Sequence, residues 1–264
     1  MKISPNITLK KSLTRKYWKD TRRVFINMRN QVLEQAKVSD PETLKLMVPA
    51  LLEVTPMVNN LVNIWSEVGG KFAYDTHNKL TKKKSMSFKD DDNEVGVGAG
   101  SAAYSLSDYK RRMRAYAYER SLLKANAIKT TEQEAINRVI DQVISQSYRE
   151  GLSTVNTRNL MTEMLNNELV SIEKYQAERI ARTEVNGAAN TGSFEAARED
   201  SPGAKKVWLT SNLPNTRDSH LSYQAMGAVD MNYDYATGLK FPGDETGAAE
   251  EVINCRCTYY LETE

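Results

Sequence analysis

Two cysteines among 264 residues are too few for a disulfide scaffold. No run approaches the roughly 18 consecutive apolar residues that a membrane-spanning helix needs, so no membrane partner is expected. The lysines near the N-terminus are not followed by the apolar stretch of a secretory leader. Together these absences indicate a protein made in a reducing cytoplasm. Charge of one sign is also scarce: the net charge of +2 does not by itself imply a nucleic-acid partner. Aromatic residues reach only 8% and hydrophobic residues 40%, which allows a real core but a lean one. The 27% of charged residues suits long exposed helices better than a compact enzyme. The length allows one large domain or two smaller ones.

The distribution of charge says more than its sum. Residues 1–90 carry a surplus of about nine positive charges, and residues 198–264 an excess of about five negative ones. The basic part opens with Lys10, Lys11, Arg15, Lys16, Lys19, Arg22, Arg23 and Arg29. At 3.6 residues per turn these spread around much of a helix. They read either as a solvated surface or as a contact for DNA or for an acidic protein surface, because clustered lysine and arginine release counterions from phosphates.

Residues 8–38 are expected to be helical, with Trp18, Phe25, Met28 and Val32 on one stripe. Ser39 or Asp40 can cap a second helical stretch starting at Pro41 and running to about Leu80, with Pro49 and Pro56 kinking or breaking it. Residues 81–105 combine lysine and aspartate runs with Gly96, Gly98 and Gly100, and read as a flexible loop or linker. Their glycine spacing fits no phosphate-binding loop. A helix rich in Tyr and Arg is expected from Ser107 to Lys124. Thr131 and Glu134 suggest a capping box for another, running to Tyr148 and closed by Gly151. A short helix at 157–166 and a longer one from Ser171 complete the set. His77 is placed at a polar helix end, in solvent. After Pro202-Gly203 the texture changes, and Lys206–Thr210 and Thr258–Leu261 read as strands. The expected fold is mainly α with a small C-terminal α+β domain: a helical region at 1–80, the loop at 81–105, helices at 106–170, and the α+β domain at 171–264.

The chemistry-bearing residues gather in that last part. In order they are Arg182-Thr183-Glu184 on a helix, Trp208 on a strand, Arg217-Asp218-Ser219-His220, and Asn254-Cys255-Arg256-Cys257 after Phe241-Pro242. Arg182 and Glu184 are two apart and cannot pair with each other on a helix, so a bridge to Asp218 or Arg217 is expected. His220, Cys255 and Cys257 offer an imidazole and two thiols, a zinc-type set whose fourth ligand could be Asp218, Asp230 or Asp244. The one-residue gap between the cysteines is unusual for structural zinc. Buried packing thiols and a redox-active pair therefore stay open beside the metal reading. A His/Cys-dependent enzyme such as a nuclease is the remaining alternative, although no complete catalytic motif is present and neither zinc-deaminase motif occurs.

This ordered set resembles the phage Mu F-like family of minor head proteins, the phage head morphogenesis family, over about residues 175–260. Members pair an Ala-Arg-Thr-Glu helix with a tryptophan strand, an Arg-x-x-His segment, a Phe-Pro loop and a terminal Asn-Cys-Arg-Cys. The resemblance implies a non-enzymatic, low-copy virion protein at the capsid interior or portal vertex, present in the host cytoplasm before assembly. Its implied partners are the portal protein and capsid or scaffold proteins, with roles in head assembly and in packaging or ejection of DNA. It implies no cofactor. A structural zinc is suggested by the residues alone.

Overall fold

The computed structural model describes residues 2–87 and 104–263. Most of it is helix. Helix α1 spans Ile7–Ala36, α2 Pro41–Leu51 and α3 Thr55–Ile64; a π-helical turn, Trp65–Gly69, leads into α4, Gly70–Ser87. Two long helices follow, α5 at Leu106–Glu150 and α6 at Thr154–Asp200. The rest is short: β2 Lys205–Leu209, α7 Asp218–Ala225, β3 Ala228–Asp230, α8 Ala249–Val252 and β4 Thr258–Glu262, with β1 at Lys2–Ile3. The four strands form one antiparallel sheet in the order β1-β4-β2-β3, with Val207 opposite Tyr260 and Trp208 opposite Tyr259. A mainly α chain with a small C-terminal sheet is what composition and periodicity predict. No helix among the described residues is long and apolar enough to cross a membrane.

The chain divides into two compact units, each discontinuous in sequence. One comprises Met1–Arg15, Asn63–Ala117 and Ala181–Glu264; the other Lys16–Val62 and Tyr118–Ile180. The second unit is all helix. Phe25, Met28, Val32 and Ala36 of α1 are buried at helical spacing, as are Ile136, Ile140 and Val143 of α5 and Met161, Leu165 and Leu169 of α6. The stripe on α1 continues through Tyr17 and not Trp18, a one-position error in phase. The buried Glu173 carboxylate ties α6 to α1, accepting from Arg22 at 2.8 and 3.1 Å and from Arg29 at 2.6 Å.

Several predicted breaks are absent. Helix α5 runs through Thr131, whose hydroxyl donates to the Ala127 carbonyl one turn back and so caps nothing. Helix α6 joins the two helices expected at 157–166 and after 171. Helix α4 reaches Ser87, into the stretch read as a loop; residues 88–103 of that loop lie outside the described residues. The break near the prolines does occur: Asp40 caps α2 by accepting from Thr43 N, Pro49 sits inside α2, and Pro56 stands in the first turn of α3. Gly151, at φ +62°, closes α5 as expected.

In the first unit, the C-terminal part of α6 is buried nearly all round from Glu184 to Gly192. Small residues make that possible. Gly192 meets the carbonyl of Gly69 so closely that a Cβ would stand 2.1 Å from it. Ile3, Leu80, Phe194, Ala197, Phe241, Tyr259 and Leu261 form one core cluster over the sheet. His77 is not solvated: its Nδ1 lies 2.8 Å from Asp200 Oδ2, and both side chains are buried.

Candidate functional site

Polar groups on a buried helix are mostly given hydrogen-bond partners. The signature residues of α6 show where those partners are. The Arg182 guanidinium donates to Asn254 Oδ1 at 2.5 Å, and the Asn254 amide donates to Thr183 Oγ1 at 2.9 Å. Glu184 Oε2 accepts from Trp65 Nε1 at 2.7 Å. Asn254 and Trp65 are thus partners of this triplet that the sequence did not suggest. Arg217 donates to the Ile253 carbonyl at 2.8 Å, and Asp218 is exposed at the start of α7.

Farther along α6, Asn190 binds the C-terminal segment on both sides of its amide. Its Nδ2 donates to the carbonyls of Pro242 and Cys257, and its Oδ1 accepts from Thr258 Oγ1. Asn186 Oδ1 accepts from the Lys10 ammonium at 2.6 Å. The Phe-Pro loop is closed by Asp244, which accepts from the Lys240 and Thr246 amides and from the Thr246 hydroxyl. At its tip Gly243, at φ +77°, lies against Gly187 of α6.

Asn254 explains the start of its motif. It sits at φ +61°, the left-handed region that asparagine tolerates better than other side-chain-bearing residues. From that corner the chain runs extended through Cys255, Arg256 and Cys257 into β4. Side chains two apart then share a face. Both cysteines are buried, with Arg256 exposed between them. They join Trp208, Tyr223, Tyr235 and Leu239 in a second core cluster. Trp208 is fully buried and packs its ring on those of His220, Tyr223 and Tyr235, with centroids 4.9–5.1 Å apart.

His220 of α7 reaches the thiols from the other side. Its Nδ1 lies 3.4 Å from Cys257 Sγ and 3.8 Å from Cys255 Sγ. All three potential ligand atoms fall within 4.8 Å of one another. The ring's far nitrogen, Nε2, has Glu251 Oε2 2.9 Å away, outside ideal hydrogen-bonding alignment. Glu251 in turn accepts from the Ser219 hydroxyl. Hydrogen bonding from Cys255 and the nearby imidazole favour the thiolate of Cys257, while the same contact and burial hold the proton on Cys255. None of the proposed aspartates joins the cluster. Asp244 is spent inside its loop, Asp218 faces solvent, and Asp230 is exposed on β3. Sequence reasoning missed Glu251, Trp65 and Asn190, each of which acts through a partner more than 30 residues away.

The basic set of α1 divides. Lys10 points inward, where burial pushes its pKa down to about 8, opposed by the neighbouring Cys255 and Cys257. Arg22 and Arg29 are held by Glu173. Lys11, Arg15, Lys16, Lys19 and Arg23 remain exposed.

Residues 138–260 match the model of a family described as Phage Mu protein F like protein. The match contains every signature residue named above and begins farther toward the N-terminus, in α5, than the resemblance over 175–260 suggests. No curated protein matches the chain, and no solved structure does.

Proposed function

We propose, from the membership of residues 138–260 in the Phage Mu protein F like family, that this chain is a minor head protein of a tailed bacteriophage. In this reading it acts by architecture and not by catalysis, associates with the portal and with capsid or scaffold proteins, and serves head assembly and the packaging or ejection of DNA. The observation that carries the reading is how the signature is used. Arg182, Thr183, Glu184 and Asn190 each spend their polar atoms on Asn254, Trp65 or the carbonyls around the C-terminal strand. Such groups hold α6 to its surroundings.

An asymmetric reconstruction of the virion tests the assignment. Density for a few copies at one vertex is the expected result; absence of the chain from purified heads would refute it. A direct DNA role draws support from the exposed Lys11, Arg15, Lys16, Lys19 and Arg23. It predicts duplex binding by the full chain that weakens steeply with salt and weakens further when these five residues become glutamine. Binding that is absent at low salt, or indifferent to salt, would eliminate that part.

A further inference from the structure

We propose that His220, Cys255 and Cys257 form a zinc site, with Glu251 orienting the histidine and a water completing the coordination. The cluster has close to the size that zinc requires. Zinc bonds of about 2.3 Å to sulfur and 2.0 Å to nitrogen, opened to a tetrahedral angle, separate a sulfur from a nitrogen ligand by about 3.5 Å. The two sulfur-to-Nδ1 distances here are 3.4 and 3.8 Å. The third edge, between the two sulfurs, is at most 4.8 Å, so a small approach of the thiols would complete one face of a zinc tetrahedron. A one-residue gap between cysteines would be cramped if a second cysteine pair had to close the site. Here the third ligand comes from a different element, α7, so the extended Cys255–Cys257 segment supplies only one edge.

His220 is also oriented for a metal. Its Nδ1 faces the sulfurs and its Nε2 faces a carboxylate. A proton on Nε2, drawn by Glu251, leaves the Nδ1 lone pair pointing at the thiols, which is the tautomer a metal requires. Ser219 holds Glu251 in place with two contacts of 3.0 and 3.2 Å. A carboxylate behind a ligating histidine is the usual device for fixing ring orientation and raising ligand basicity.

A cavity of about 20 Å³ is lined by His220 and Cys257 together with Ser211, Asn215 and Thr216. That is enough for one water and too little for a larger ligand. Two thiolates with a neutral imidazole would balance a divalent ion, and sulfur with imidazole selects zinc over magnesium or calcium. The site would fasten α7, α8 and the approach to β4, and this inference does not depend on the head-protein reading.

The experiment uses the full chain. Purified after expression with zinc supplied, it should hold one ion per chain by elemental analysis. The metal-stripped protein titrated with cobalt should develop thiolate-to-cobalt charge transfer and the visible bands of a tetrahedral centre. Glu251→Gln should weaken zinc binding about 10- to 100-fold while the helical circular dichroism is kept. Cys257→Ser should lose the charge-transfer band, and Arg23→Ala, a change at an exposed residue of α1, should leave it. If Cys257→Ser fails to fold, the cobalt titration of the unaltered chain and of Glu251→Gln still decides. Any of three results would overturn the proposal: no cobalt spectrum, thiols whose reactivity ignores added zinc, or Cys255 and Cys257 recovered as a disulfide.

Discussion

Replacing Gly192 with alanine sets two effects of opposite sign against each other. Gly192 lies in the interior of α6, where helix propensity favours alanine by about 1 kcal/mol. A Cβ at that position, however, would stand 2.1 Å from the Gly69 carbonyl oxygen and 2.8 and 2.9 Å from that residue's carbon atoms. The obstacle is backbone in the π-helical turn, not the end of a flexible side chain, so relief requires the two segments to move apart by about 1 Å. Overpacking of this kind costs about 1–3 kcal/mol, and a clash with backbone belongs at the upper end. The net expectation is a loss of about 2 kcal/mol. At about 2–4 °C per kcal/mol for a chain of this size, Tm should fall by about 4–8 °C. Gly203→Ala is the matched control, because no atom lies within 4 Å of its Cβ position and its φ is not positive. It should be neutral or stabilising by a few tenths of a kcal/mol. A Gly192→Ala chain that melts at or above the unaltered temperature would show that propensity outweighs packing there, and the close approach of α6 to Gly69 would lose its energetic meaning.

Three further outcomes follow from buried charge. Glu173→Gln leaves Arg22 and Arg29 without their carboxylate; since both arginines are partly exposed, the full penalty of a broken buried pair is discounted to about 2–3 kcal/mol, readable by urea denaturation. Burial, with Glu168 nearby, pushes the Glu132 pKa up to about 7 from an ordinary value of 4.5. The folded chain then holds the proton more tightly than the unfolded one, so this group's contribution is fully present below pH 4.5 and is lost as pH rises through 7. Glu132→Gln should accordingly raise stability by about 3 kcal/mol at pH 8 and change little at pH 4, and equal effects at the two values would refute the assignment. Arg182→Ala and Thr183→Val both act on Asn254, so a double-mutant cycle should show coupling of about 0.5 kcal/mol or more, and strict additivity would refute the shared anchor.

What the sequence made legible was local. Strand positions at Lys206 and Thr258, the helix capped by Asp40 and the stop at Gly151 all carry signals within a few residues. The misplaced helix breaks also have a local cause, since threonines fit either role. Thr130 and Thr131 can cap a helix or return their hydroxyls to a carbonyl one turn back, and here they do the latter. His77 and Glu251 were illegible for another reason. Asp200 lies 123 residues from His77, and no periodicity links them. The thiol pair and His220 could be named as a ligand set because three rare residue types fall in one region. The carboxylate behind the histidine belongs to a residue type too common to stand out.

The Arg-Thr-Glu triplet illustrates why a family signature need not be an active site. Consecutive residues on a helix point about 100° apart, so a triplet cannot aim three side chains at one substrate. On an exposed helix, at least one of the three would be free to vary without structural cost. Helix α6 is half-buried at Arg182 and Thr183 and buried from Glu184 onward, and the three side chains meet different groups: the Asn254 side chain for Arg182, the Asn254 backbone amide for Thr183, and Trp65 for Glu184. The identity of every residue is set by the group it faces. The left-handed turn at Asn254 is then constrained from two sides, by its backbone angle and by its two bonds to α6. That turn delivers Cys255 and Cys257 to His220. The helix signature and the terminal cysteine motif are in this sense one device, with Asn254 as the joint between them, and a defect at Arg182 should be felt at the thiols.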